Sequence, residues 1–430
     1  MKTPWELLKE SKTKIKTTWR IAFVSALVLG LLIHLPVMLS DIPNHDGLSS
    51  MYFDQNMITS GRWFLTVACG FSSYFTIPWV IGLIGLIWLA LTAAVLTEVL
   101  ELTDPVTITV VSGLLVSFPA LASTFAYVFT MDGYMLALFL AVLAVLFTAK
   151  YPRGYLAGAV CLAFSMGIYQ AYLPFTILLC VYKILLFFME EKGWKEKAKY
   201  VCRYLGMGIA GGVLYYVILQ ILLKLQGKVL DTYQGINSME QMGSGMGILT
   251  TLKGMYVDFL AFTVHGNVLV NNIFSLAACI ILVATVAFLV IRSMIWRKWW
   301  KNPAFFVIMI LLGISMPLLT NVILLISPNL TYHLLMRYQW VLYLILMTAF
   351  ADRYTAEKSR TDVVLQWAAL CAAVVLVFDY GISDNIGYSN LEKKYEKTYA
   401  YCVRLLDRIE QTPGYYQGIP IALVGVIGYD

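Results

Sequence analysis

The stretch IPWVIGLIGLIWLALTAAVLTEVL, Ile77–Leu100, runs for twenty-four residues with one charged side chain, Glu98, close to its end. A helix of about 20 mainly apolar residues crosses the hydrocarbon layer of a bilayer. The segment therefore reads as a membrane span. Similar runs, some shorter, lie near Trp19–Leu39, Val106–Phe125, Gly133–Thr148, Gly154–Tyr169 and Leu173–Met189. More follow near Leu205–Leu225, Asn272–Ile295, Ala304–Ile326, Tyr338–Ala351 and Val363–Phe378. Composition agrees: 60% of the 430 residues are hydrophobic and 13% charged, against about 25% charged in a soluble domain. Lipid, not water, contacts most of such a surface. The expected fold is an all-α polytopic membrane protein, a bundle of about eleven transmembrane helices with the two termini on opposite sides.

Orientation follows from Lys and Arg, which gather in cytoplasmic connections. With the N-terminus inside, twenty of the 31 basic residues fall in inner segments, and five (Arg62, Lys224, Lys228, Lys253 and Arg337) in outer connections before the tail. The chain then divides into a basic cytoplasmic N-terminus (1–18), a multi-span region (19–378) with large outer loops at 40–76 and 226–271, and an extracytoplasmic C-terminal appendage (379–430). The first apolar run is too long for a cleaved signal and is expected to stay as the first span. Seven scattered cysteines, with no CxxC and no His at ligand spacing, read as small packing residues rather than a disulfide framework. In the tail, Leu391, Tyr395, Tyr399, Cys402, Leu405 and Ile409 have helical spacing. They precede a Pro-Gly turn and the strand-like IPIALVGVIGY.

Loops longer than about 12–15 residues are usually functional or disordered, and these are rich in aromatic and apolar residues. The first outer loop carries Asp41, Asn44, His45, Asp46 and Asp54, then Gly61-Arg62-Trp63. Carboxylates at a membrane surface can serve as general bases toward a hydroxyl acceptor, and an Arg can grip a phosphate with two parallel hydrogen bonds. The same residues equally suit a solvated loop in which Asp54 caps a helix and Trp63 anchors at the headgroups. A second group, Tyr332, His333 and Arg337, precedes the tenth span; Arg337 there either meets a phosphate or snorkels to lipid. Asp132 with Tyr134, and Tyr169 with Gln170, sit at other outer helix ends, where aromatics commonly form the interfacial belt. Asp231, Asn237, Glu240, Asp258 and His265 in the second large loop are weaker candidates. Gly206–Gly212 matches GxGxxG but opens a membrane helix with no preceding strand, which removes the dinucleotide reading. Small residues at 208 and 212 instead suggest close helix packing. The four histidines form no metal motif.

The run NHDGLSSMYFDQNMITSGRWFLTVACGFSSYF, the span after it, and the later VSFPALASTFAYVFTMDGYMLALFLA and SMGIYQAYLPFTILL carry a resemblance to the bacterial integral-membrane glucosyltransferases of the GtrII type. The likeness extends over most of the chain, the tail included. It implies a GT-C architecture whose active site lies on the extracytoplasmic face and is built mainly from the first large loop. The implied donor is a polyprenyl-phosphate sugar, above all undecaprenyl phosphate glucose, and the acceptor a cell-envelope glycan. A first-loop carboxylate would be the base: Asp46 by position, with Asp41 as second choice. Arg62 and Arg337 would hold the lipid phosphate, by chemistry and topology rather than by a family motif; His45, Asp54, Tyr169, Gln170, Asp132 and His333 are weaker substrate contacts. No cofactor is named by the resemblance, a divalent metal stays open, and no nucleic-acid partner is expected. The rival readings are a transporter or flippase of a lipid-linked sugar and a non-catalytic scaffold. A transporter usually sets ionisable residues near the midplane. Here the acids gather in outer segments instead.

Overall fold

The computed structural model describes residues 2–40, 42, 56–70, 77–190, 192–231, 248–296, 303–327, 330–355, 359–422 and 424. Among the described residues, eight helices are long and apolar enough to cross a membrane: Thr17–Leu39, Pro78–Leu100, Val128–Lys150, Gln170–Phe188, Trp194–Gln226, Ile273–Trp296, Leu334–Tyr354 and Arg360–Glu410. A ninth span forms if Pro105–Ser117 and Pro119–Phe125, bent by 50° at their junction, count as one. Gly154–Ile168 and Phe306–Thr320 are apolar but shorter. Every run read from the sequence thus carries a helix, while eight meet the length for a full crossing.

Local chemistry sets the helix starts. Pro78, Pro105 and Pro119 sit in the first turn, where a missing N–H costs nothing. Asp104 caps its helix by accepting from the Thr107 N–H at 2.8 Å, and Ser359 with Asp362 forms a reciprocal capping box. Four spans lie mostly inside the bundle: Pro78–Leu100, Val128–Lys150, Gln170–Phe188 and Leu334–Tyr354. Thr17–Leu39, Trp194–Gln226, Ile273–Trp296 and Arg360–Glu410 turn large apolar side chains outward, among them Leu32, Ile209, Phe274 and Phe378. Such a rim suits lipid and not water.

Ion pairs tie the basic end together. Glu98 accepts from Lys16 at 2.6 Å and Lys150 at 2.9 Å. Glu101 meets Lys183 at 2.6 Å and Arg353 at 2.8 Å, and Arg292 pairs with Asp362. Lys183, inside the Gln170–Phe188 span, therefore reaches a partner at this end.

Arg360–Glu410 is one unbroken helix that runs across the boundary read at 378/379, because Asp379 and Asp384 end the apolar run without interrupting backbone hydrogen bonding. Three expectations change. Residues 419–422 and 424 form no strand, and 423 with 425–430 lie outside the described residues. On Trp194–Gln226 the buried stripe is Tyr204, Met207, Gly211, Tyr215, Leu219 and Leu223. Gly211 accordingly packs on Leu162 and the Ala159 carbonyl, while Gly208 and Gly212 face open space. All seven cysteines are free, and Cys202, Cys371 and Cys402 are exposed rather than packed.

Candidate functional site

Residues 56–70 make a compact turn at the end opposite the basic one. Ser60 and Arg62 both donate their backbone N–H to the Met57 carbonyl, at 3.0 and 3.1 Å, and Gly61 donates to Ile58 at 2.9 Å. The turn closes only because Gly61 adopts a left-handed φ of 76°, a region that costs a residue with a Cβ. A Cβ there would also lie 2.5 Å from the Tyr215 hydroxyl and 2.6 Å from Gln170 Nε2. These two side chains hold the turn: Tyr215 donates to the Gly61 carbonyl at 3.0 Å, and Gln170 donates to the Ser60 carbonyl at 3.1 Å. Asp231 adds a backbone N–H to the Thr59 carbonyl at 2.9 Å. Next along the chain, the Trp63 indole lies against Gly167 where a Cβ would clash, and Phe64 N–H donates to the Gly167 carbonyl at 2.7 Å. Trp63 is thus a packing residue of the bundle and not a headgroup anchor.

This seat fixes Arg62. Its Nη1 donates to the Tyr134 hydroxyl at 3.2 Å, and its guanidinium carbon stands 5.1 Å from the centre of the Tyr169 ring. Tyr134 and Tyr169 stack at 4.1 Å with 10° between their planes. Three segments far apart in sequence, at 62, 134 and 169–170, therefore meet around one cation. Delocalised and planar, a guanidinium suits both the aromatic face and a bidentate grip on a phosphate. Asp132 is buried at the first turn of the same helix as Tyr134 and accepts from the Gly133 N–H at 2.9 Å.

Arg337 is organised differently. It is 9% exposed, and its Nη1 and Nη2 donate to the two oxygens of Asp258, each at 2.7 Å. Its Nε donates to the Tyr332 carbonyl at 3.3 Å, and the guanidinium carbon lies 3.9 Å from the Tyr332 ring centre and 4.7 Å from that of Phe262. Asn321 donates to Asp258 as well, at 3.1 Å. The fork expected to grip a phosphate is filled by a carboxylate, so Arg337 builds a half-buried ion pair in this conformation. His333 is exposed and starts the Leu334–Trp340 turn. Its side chain is not part of the Arg337 cluster.

Asp41, Asn44, His45, Asp46, Asp54, Asn237 and Glu240 lie outside the described residues. Among the described residues, no three His, Cys, Asp or Glu side chains gather as a metal site.

Two features escaped the sequence reading. His34 is fully buried. Its Nε2 lies 2.7 Å from the Val116 carbonyl and its Nδ1 2.6 Å from the Tyr388 hydroxyl. A carbonyl only accepts, so Nε2 carries the proton and Nδ1 accepts from Tyr388. One turn from Tyr388, Asp384 is 2% exposed, and neither carboxylate oxygen has a hydrogen-bond partner among the described residues. The spacing Tyr380, Asp384, Tyr388, four apart on one helical face, was the available signal.

No curated protein and no solved structure matches the chain at a significant level. Residues 35–351 match the model of the family described as glucosyl transferase GtrII, a range that takes in the Arg62 turn, both tyrosines of its niche and the Arg337 segment and leaves the tail outside. With more than two thirds of its length in that match and a bundle of membrane-crossing helices around it, the chain belongs to the GtrII family of glucosyl transferases.

Proposed function

We propose that the protein transfers a sugar, glucose by preference, from a polyprenyl-phosphate donor such as undecaprenyl phosphate glucose to a cell-envelope glycan. The reaction takes place at the outer face of a bacterial plasma membrane, with the N-terminus cytoplasmic. The observation that carries this reading is the Arg62 niche: a guanidinium fixed by Tyr134 and Tyr169 at the end of the bundle away from the basic residues. A donor with a long isoprenoid tail approaches from the bilayer, and a cation at that depth suits its phosphate.

In the proposed step the acceptor hydroxyl oxygen attacks C1 of the hexose from the face opposite the phosphate. The C1–O bond to phosphate breaks, the configuration inverts, and polyprenyl phosphate leaves with the bonding pair. Asp46, or Asp41 in its place, takes the hydroxyl proton. Arg62 neutralises the charge that builds on the leaving phosphate. Arg337 joins only by giving up Asp258.

Membranes containing the protein, incubated with radiolabelled polyprenyl-phosphate glucose and an envelope glycan, should move label to the glycan. Arg62→Lys keeps the charge but loses the planar fork, and should weaken use of the donor with folding retained. Label that stays on the lipid with every acceptor tried, or that crosses the bilayer unreacted, rejects the proposal; the second result indicates a transporter.

A further inference from the structure

A carboxylate with no partner inside a membrane bundle is costly, and Asp384 is such a group. Its surroundings are set by its own helix. One turn before it, Tyr380 packs edge-on to Phe118 at 5.6 Å. One turn after it, Tyr388 donates to His34, which in turn donates to the Val116 carbonyl. The carboxylate is thus bracketed against Val116–Phe118, the point where the Pro105–Ser117 and Pro119–Phe125 helices bend by 50°. A bend frees backbone acceptors, and side chains have claimed them: His34 takes Val116 O, and the Tyr338 hydroxyl takes Leu115 O. Two polar groups at the bend are left over. Ser117 Oγ is fully buried and, like both oxygens of Asp384, has no hydrogen-bond partner. Leading away from this spot, Tyr338, Tyr172 and Tyr169 follow one another at 6.4 and 5.5 Å between ring centres. The row ends on the Tyr169 face that carries Arg62.

We infer that Asp384 and Ser117 form a subsite for the hydroxyls of the transferred hexose, joined to the phosphate niche at Arg62 by the tyrosine row. This rests on the glycosyl-transfer reading above. A carboxyl group sets two oxygens in one plane, an arrangement that matches the vicinal hydroxyls of a pyranose, and Ser117 can donate to or accept from a third. The tyrosine faces offer apolar contact to the C–H side of the ring. Asp384 is closed off at 2% exposure, so the hexose reaches it when the bent helix or the Tyr338 wall shifts.

The test uses the full chain in lipid nanodiscs and two probes, a short-chain prenyl phosphate and the same lipid bearing glucose. The parent should bind the glucosylated lipid more tightly than the bare one. Asp384→Asn should cut that preference by about tenfold, the worth of one to two hydrogen bonds, with binding of the bare lipid unchanged. It should melt no lower than the parent, because the carboxyl it replaces has no hydrogen bond to lose. Ser117→Ala should lose a few-fold of the same preference and provides the reading if the Asn variant fails to fold. A parent that transfers glucose while both variants keep the full preference overturns the subsite and leaves the transferase reading standing. A parent that neither transfers glucose nor distinguishes the two lipids removes both.

Discussion

Replacing Gly61 by Ala should loosen the Arg62 turn without unfolding the bundle. The left-handed φ of 76° at this position costs an L-residue roughly 1 kcal/mol. The new methyl would also sit 2.5 Å from the Tyr215 hydroxyl and 2.6 Å from Gln170 Nε2, well inside the 3.4 Å at which ordinary contact begins. Both side chains must retreat by nearly an ångström, about the difference between those distances. The bonds at risk are Tyr215 to Gly61 O at 3.0 Å and Gln170 to Ser60 O at 3.1 Å and to Tyr215 at 3.0 Å. At about 1 kcal/mol for each bond lost, local opening becomes easier by about 3–4 kcal/mol, or about two orders of magnitude or more in population. The cost is confined to the turn, since the helices around it keep their own packing. Hydrogen exchange of the Gly61, Arg62 and Phe64 amides in detergent or nanodiscs measures it directly. Glucosyl transfer should fall in step, because Arg62 loses its seat. Tyr215→Phe removes two of these three bonds and adds no methyl, so its effect should be about thirtyfold. Unchanged exchange in Gly61→Ala would refute the claim that this contact seats Arg62.

Arg337→Leu leaves the half-buried Asp258 without its cation and should destabilise the protein by about 1–3 kcal/mol, read as a lower melting temperature; Arg337→Leu with Asp258→Leu should recover much of the loss, and no recovery would mean the two do not act as a pair. Asp46→Asn should lower the transfer rate by about a hundred- to ten-thousandfold while donor binding survives, and Asp41→Asn should not; an exchange of the two phenotypes would make Asp41 the base. Reporter fusions at residues 197 and 395 should label opposite sides of the membrane, and same-side labelling would move the proposed site to the other compartment. Burial pushes the Glu101 carboxyl up, but Lys183 and Arg353 pull it down by more and hold it below the ordinary value of 4.5. Its contribution to stability is therefore present above the ordinary carboxylate range and lost as pH falls through the depressed value. Melting temperatures taken from pH 7 to pH 3 should fall less in Glu101→Gln than in the parent.

Hydropathy made the helices legible because lipid demands an apolar run from every span, whatever its neighbours do. The family resemblance was legible for a related reason: the GRW turn and the helix ends that hold it keep their order along the chain. What stayed hidden depends on pairing at a distance. Asp258 and Arg337 are 79 positions apart, and nothing local to Arg337 announces its partner. Tyr134 and Tyr169 read as interfacial belt residues until folding stacked them beside Arg62. The continuity of the helix through Asp384 stayed hidden because a hydropathy run stops at the first acids, whereas a helix does not. His34 lay within an apolar run and drew no notice, since a histidine satisfied at both nitrogens is compatible with one.

The unbroken Arg360–Glu410 helix has a consequence for reach. From about residue 391 onward it is exposed on nearly every side, and about 20 residues at roughly 1.5 Å each carry its tip about 30 Å beyond that point. A molecule tethered to the tip would be confined to a hemisphere of about that radius, which corresponds to an effective concentration on the order of tens of millimolar. An acceptor of only millimolar affinity would then saturate the site without any further contact. Because the same helix carries Asp384 and Tyr388 at its base, the tether point and the carboxylate are joined by a single rigid element.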